Sequence, residues 1–172
     1  MLEKLEDKAF DLVYQLMAES FPESERRTYQ GQKDLLKLNN YNILVLKEND
    51  DILAFYAVWE NEKYRFIEHL AVNPNYRSRG LGSKTLQAFH DLDNKPVILE
   101  VEAPDDETKK RRVQFYEKNG YYLTDFKYMQ PKINKDLDTV ELVQMTYPRE
   151  LSTAELTEAK AWLDRTVYKD AH

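Results

Sequence analysis

The residues with the plainest chemical use form one stretch, Tyr76-Arg77-Ser78-Arg79-Gly80-Leu81-Gly82-Ser83-Lys84. Residues 66–72 before it are apolar and read as a strand, and residues 84–92 after it read as a helix. A turn entering a helix presents N–H groups with no partner inside the helix, at the positive end of its dipole. That arrangement suits a phosphate. Glycine lets the ligand reach the main chain where a side chain would block it. The chain has only 4 glycines, about a third of ordinary usage, and Gly80 and Gly82 both fall here. Arg77, Arg79 and Lys84 add local positive charge to a chain of formal net charge −6. The plainer alternative is an ordinary strand–helix turn whose glycines serve packing.

Several elements must position this turn. Leu2 and Leu5 mark a short first strand. Phe10, Val13, Tyr14, Met17 and Phe21 form one face of an amphipathic helix that Asp7 caps and Pro22 ends. A second helix is expected from residue 23 to Leu38. Strands are expected at 41–47, 52–59 and 65–72, joined by polar turns as an antiparallel meander. The helix after the glycine turn carries Leu86, Phe89 and Leu92 on one side. Val97-Ile98-Leu99-Glu100-Val101 reads as a central strand parallel to the third, since a crossover helix lies between them. A further helix opens at Pro104-Asp105-Asp106-Glu107 and ends at Asn119-Gly120. The last strands are expected at 121–126 and 140–145, joined by a long link from Tyr128 to Asp138. Residues 151–172 form a final helix, with a capping box of Ser152 and Glu155 and a staple of Leu151 and Leu156.

The spacing Arg77-x-x-Gly80-x-Gly82 is not that of dinucleotide folds or nucleotide triphosphatases. It resembles the acetyl-CoA pyrophosphate loop of the GNAT family of N-acetyltransferases. A second stretch, Arg112-Val113-Gln114-Phe115-Tyr116-Glu117-Lys118-Asn119-Gly120-Tyr121, resembles the Phe-Tyr-Glu-x-x-Gly-Phe segment of the same family, with Tyr121 in place of phenylalanine. Both stand in the family's order, one strand and one helix apart. The resemblance runs from about Phe10 to Met145. It implies an α/β (α+β) chain with the GNAT fold: a mixed central sheet, an antiparallel N-terminal meander, a splayed parallel pair and flanking helices. Residues 1–150 would form the acetyltransferase domain. The final helix lies outside the family core, either packed on the domain or at a homodimer contact.

By the resemblance, acetyl-CoA is the co-substrate. The amides of residues 78–83 hold its pyrophosphate, and the backbone of Leu70, Ala71 and Val72 pairs with the pantetheine arm like an added strand. Tyr116 matches the tyrosine that protonates the departing sulfur; otherwise it is an aromatic core residue. Acyl transfer to an amine also needs a base, because an ammonium has no lone pair. Glu68 is the candidate, directly or through water, and a salt-bridged strand glutamate is the equal alternative. His69 is a second candidate base, but neighbouring strand residues face oppositely, so only one of the two is expected in the site. Glu102 either binds a cationic acceptor or is structural. Arg26, Arg27 and Tyr29 either face substrate or lie on a solvated helix surface. The resemblance places acceptor specificity in the two N-terminal helices and the link from Tyr128 to Asp138.

Composition excludes several classes. The acidic balance argues against nucleic acid as a partner. Without cysteine there is no disulfide, thiolate metal site or thiol nucleophile, and His69, His90 and His172 are too scattered for a zinc site. No apolar run reaches membrane-spanning length and no signal-peptide core is seen, so the cytoplasm is expected. The reading is an acetyl-CoA-dependent N-acetyltransferase that forms a ternary complex with a small-molecule or peptide amine. The alternative is a non-catalytic acyl-CoA-binding or sensing module on the same fold.

Overall fold

The computed structural model describes residues 1–130 and 140–168. Its strands are β1 (Leu2–Lys4), β2 (Tyr41–Glu48), β3 (Asp51–Glu60), β4 (Arg65–Val72), β5 (Val97–Glu102), β6 (Tyr122–Met129) and β7 (Glu141–Tyr147). They form one seven-stranded sheet in the order β1-β2-β3-β4-β5-β7-β6. Only β4 and β5 run parallel; every other neighbouring pair is antiparallel. The sheet is therefore mixed, with an N-terminal meander, and α-helices cover both of its faces.

Two cores explain why β3 is buried from Ile52 to Trp59. On one face, Phe10, Val13 and Met17 of α1 (Phe10–Ser20) pack with Tyr41, Ile43, Trp59, Phe66 and Ile98. On the other, Leu86 and Phe89 of α3 (Leu81–His90) and Val113 of α4 (Glu107–Lys118) pack with Tyr56, Ile67, Leu99 and Val101. Each such side chain contributes about 1.5–3 kcal/mol by leaving water. The final helix, α5 (Thr153–Thr166), joins the first core through Leu156, Ala159, Trp162 and Leu163. Its capping box is formed, with the Ser152 hydroxyl accepting from the Glu155 amide and the Glu155 carboxylate from the Ser152 amide.

Polar contacts fix α3 between strands. The Tyr56 and Thr85 hydroxyls lie 2.9 Å apart in the core. Arg65, 3% exposed, donates to the Phe89 carbonyl at 2.9 Å, in the last turn of α3, where the helix dipole favours a cation.

Three spans differ from expectation. The helix expected from residue 23 to Leu38 is broken: a 3-10 turn at Glu23–Glu25, an extended stretch, then α2 (Tyr29–Asp34) capped by Thr28. The stretch is extended because Arg27 is tied down twice, its carbonyl by the Tyr14 hydroxyl at 2.8 Å and its side chain by Glu68. Helix α3 begins at Leu81 rather than Lys84, so the glycine turn supplies its first residues. Strand β6 runs on to Met129, past the expected end at Phe126; the link expected from Tyr128 thus starts later, and its residues 131–139 lie outside the described residues. Among the described residues no helix is long and apolar enough to cross a membrane.

Candidate active site

Strands β4 and β5 pair only where Arg65, Phe66 and Ile67 meet Val97, Ile98 and Leu99. Beyond Ile67 they diverge, while β4 stays paired with β3 as far as Val72 and β5 with β7 as far as Glu102. The facing edges are left open. Between them lies a cleft of about 270 Å³, lined by Glu68, Leu70, Ala71, Val72, Glu100, Arg77, Arg112 and Tyr116 among others.

A β-bulge marks the point of divergence. Ala57 is opposite His69 and Val58 is opposite Ile67, so Glu68 is the extra residue on β4. This overturns the expectation that Glu68 and His69 face opposite sides. The inserted residue breaks the two-residue period, and both side chains line an adjoining cavity of about 80 Å³.

Glu68 is not free to act. Its side chain is 3% exposed, Arg27 Nη1 lies 3.0 and 2.9 Å from its two oxygens, and Trp59 Nε1 donates at 2.8 Å. Burial alone would raise the carboxyl, but Arg27, His69 and the Trp59 hydrogen bond outweigh it and hold it below its ordinary range. The part of base expected for Glu68 fits poorly with that. His69 fits no better: its Nε2 meets the Glu25 carbonyl at 2.7 Å, its Nδ1 is buried, and burial pushes its pKa down. Arg27, expected at a substrate-facing or solvated helix surface, is instead the buried partner of Glu68, and its Nη2 donates to the Val167 carbonyl at 3.0 Å.

Glu100 has the opposite character. Its oxygens accept from the hydroxyls of Tyr128 and Tyr168. Burial raises its pKa to about 7 despite those two donors, with the Glu68 charge adding to the rise. One sequence signal pointed to it, a single acid inside the apolar run Val97-Ile98-Leu99-Glu100-Val101. Tyr116, across the cleft, has its hydroxyl pKa raised to about 12 by burial, opposed by the charge of Arg112. Its ring stands edge-on to Phe115 and Tyr121, 5.2 and 5.5 Å between centroids.

The glycine turn follows directly on Arg77, which lines the cleft. Gly80 takes φ +70° and Ser78 φ +68°, the left-handed region, and Gly80 caps α3 without any side-chain hydrogen bond. The amides of Gly80, Leu81, Gly82 and Ser83 meet no acceptor among the described residues. These are the donors a diphosphate needs. Gly82 serves packing as well: a Cβ there would lie 3.1 Å from the Phe115 ring. Of the three basic residues, Arg77 lines the cleft, Lys84 is exposed on α3, and Arg79 is drawn 3.5 Å from Glu48 and over the Tyr76 ring. Among the described residues, no group of three or more His, Cys, Asp or Glu side chains is gathered to hold a metal ion.

The chain is similar to known proteins in sequence and fold. The sequence profile described as "Acetyltransferase (GNAT) domain" matches residues 39–123. The Bacillus subtilis (strain 168) protein YjbC, which carries an acetyltransferase assignment, is 25% identical over 154 residues, 78% of each chain. A solved structure assigned to the GNAT family, from Bacteroides thetaiotaomicron, superposes with a TM-score of 0.92 at 25% identity over 98% of both chains. Residues 39–123 belong to the GNAT acetyltransferase family. Arabidopsis thaliana Naa50, solved with the bisubstrate analogue CoA-Ac-MVNAL, shares the GNAT fold at a TM-score of 0.64 and 18% identity, over 88% of this chain and 98% of that one. The splayed strands and the bulge at Glu68 frame the cleft, and the uncapped start of α3 follows Arg77 in the chain.

Proposed function

We propose that this protein transfers an acetyl group from acetyl-CoA to the primary amine of a small molecule or peptide, with both substrates bound together. The observation that carries this is the open edge of β4 leading to the unpartnered amides at the start of α3. The edge suits an amide-rich arm added as a strand, and the amides suit its diphosphate. The residues present thus fit acetyl-CoA, which supplies an acetyl group activated as a thioester. The bisubstrate analogue held by Naa50 joins CoA to a peptide, which supports simultaneous binding.

Glu100 takes the part of base, since a carboxyl with a pKa of about 7 accepts a proton near neutral pH far better than the ion-paired Glu68. Glu68 with Arg27 fixes the bulge that holds the cleft open. Tyr116 gives the departing sulfur its proton. In balance, the ammonium nitrogen gives up two protons and forms the C–N bond, the C–S bond breaks, one proton ends on sulfur and the other reaches solvent.

The test is thermal unfolding with acetyl-CoA, ATP and NAD, followed by CoA release across a panel of amines. Acetyl-CoA at 100 times its Kd should stabilise by about 2.7 kcal/mol, with far smaller shifts from the other two. Equal shifts from all three would sink the assignment. Binding without CoA release for any amine would identify a binding module instead.

A further inference from the structure

The 80 Å³ cavity beside the cleft is lined by Glu25, Glu68, Glu100, Glu102, His69 and the exposed Arg112 among others. Glu68 has its cation in Arg27. Among the described residues Glu100 is hydrogen-bonded by the phenols of Tyr128 and Tyr168 and is ion-paired to no cation. Glu25 and Glu102 have neither an ion pair nor a side-chain hydrogen bond among the described residues. They stand close enough that, after burial, the charge of Glu102 is the main cause raising the Glu25 carboxyl. The charge of Arg112, on the same cavity wall, offsets part of that rise, but among the described residues neither carboxylate is ion-paired; two carboxylates so placed repel, and a further bound cation relieves them.

A second group asks for the same ligand. His69 is 3% exposed, its Nε2 meets the Glu25 carbonyl, and its Nδ1 has no hydrogen-bond partner. A buried polar atom left so is destabilising. With Nε2 donating to the carbonyl, Nδ1 is a bare acceptor. Beside the single cation Arg112 the cavity thus gathers four carboxyl groups and an imidazole, and an ammonium, with three donors and one positive charge, complements them.

The spacing narrows the ligand. Glu100 and Glu102 are two residues apart on one face of β5, a separation of about 6.6 Å along the strand. Three or four carbons between two nitrogens span about 5–6 Å at ordinary bond lengths. We propose that the acceptor is an aliphatic diamine: one nitrogen reacts beside Glu100, and the other, as an ammonium, is held by Glu102 and Glu25 beneath Nδ1 of His69. This rests on the acetyl-transfer reading above and adds to it the charge and length of the acceptor.

The test compares 1,4-diaminobutane with butylamine, by CoA release and by calorimetric titration into the protein saturated with CoA. The diamine should show at least a tenfold higher kcat/KM. In Glu102→Gln and in Glu25→Gln the diamine-to-monoamine ratio should fall towards one, and diamine affinity should weaken tenfold or more. Glu102→Asp should recover part of both. A ratio near one in the wild type, or one unmoved in both folded variants, overturns the diamine assignment while leaving acetyl transfer in place. Diamine binding that depends on Glu102 without CoA release from any amine overturns acetyl transfer and keeps the diamine site. Absence of diamine binding overturns the proposal outright.

Discussion

A single nitrogen of Arg27, Nη1, lies within 3.0 Å of both carboxylate oxygens of Glu68, 41 positions further along the chain. Both side chains are withdrawn from water, at 14% and 3% exposure. The contact joins the extended segment before α2 to the bulge in β4, so it decides where the cleft begins.

Replacing Arg27 with Met should therefore destabilise the protein by about 3–5 kcal/mol, because the Glu68 charge is left buried and alone. Thermal unfolding should show a drop on the order of 10 °C. The double variant Arg27→Met with Glu68→Gln should regain much of the loss. An unchanged melting temperature in the single variant would refute the pairing. The pH dependence has a definite sign. The folded-state pKa of Glu68 is depressed, so its stabilisation is present above the ordinary carboxylate range and is lost as pH falls through the folded value. Glu68→Gln should remove that part of the acid dependence.

Glu100 should show the reverse. Its folded-state pKa is raised from 4.5 to about 7, so the folded protein holds a proton the unfolded chain has released. Stability should fall as pH rises between those values, by about 3 kcal/mol at most. Glu100→Gln should flatten this segment, read by denaturant unfolding at pH 5 and pH 8. The same carboxyl predicts that kcat/KM for an amine climbs through pH 7. Loss of turnover in Glu100→Gln at every pH is the expected companion result. A wild-type profile in that variant would remove Glu100 as base.

Much of this site was legible before the fold. Leu70, Ala71, Val72, Arg77 and Tyr116 line the cleft, and residues 65–72, expected as a strand, form β4. What escaped was non-local. The strand rule assumes an unbroken two-residue period, and the bulge at Glu68 breaks it through pairing with β3, which local sequence does not display. Arg27 reads as a surface residue in a polar run, Glu23-Ser24-Glu25-Arg26-Arg27, until the bulge puts a buried carboxylate within its reach. Tyr128 and Tyr168 reach Glu100 from 28 and 68 positions away.

Tyr116→Phe keeps the ring and removes the hydroxyl. Turnover with a working amine should fall about 10²-fold, within the range of general acid catalysis. Acetyl-CoA affinity should barely move, since the loop amides and the edge of β4 supply it. A fall in kcat at constant affinity marks an interaction made mainly in the transition state. Wild-type turnover would leave the sulfur to take its proton from water.

The two loop glycines should separate on substitution. At Gly80 an added Cβ meets nothing within 4 Å, but φ is +70°, so Gly80→Ala should cost about 1–2 kcal/mol through conformation alone and weaken acetyl-CoA by disturbing the turn. At Gly82 the Cβ meets the Phe115 ring, so Gly82→Val should lower the melting temperature of the free protein as well as acetyl-CoA affinity. Phe115 occupies that side, so the effect is not confined to ligand binding. Equal unfolding temperatures for the free wild type and Gly82→Val would contradict the contact.

The placement of α5 bears on how the chain matures. Trp162 and Leu163 complete a core to which Phe10, Tyr41, Trp59, Phe66 and Ile98 contribute from earlier in the sequence. During synthesis those earlier segments emerge first, and the sheet face they form waits uncovered for α5. A nascent chain in that state presents apolar surface, the condition under which chaperones bind and unfinished domains aggregate. The last turn of the core also carries Val167 and Tyr168, the partners of Arg27 and Glu100. Burial of that face and assembly of the candidate pocket therefore fall at the same late moment of biogenesis.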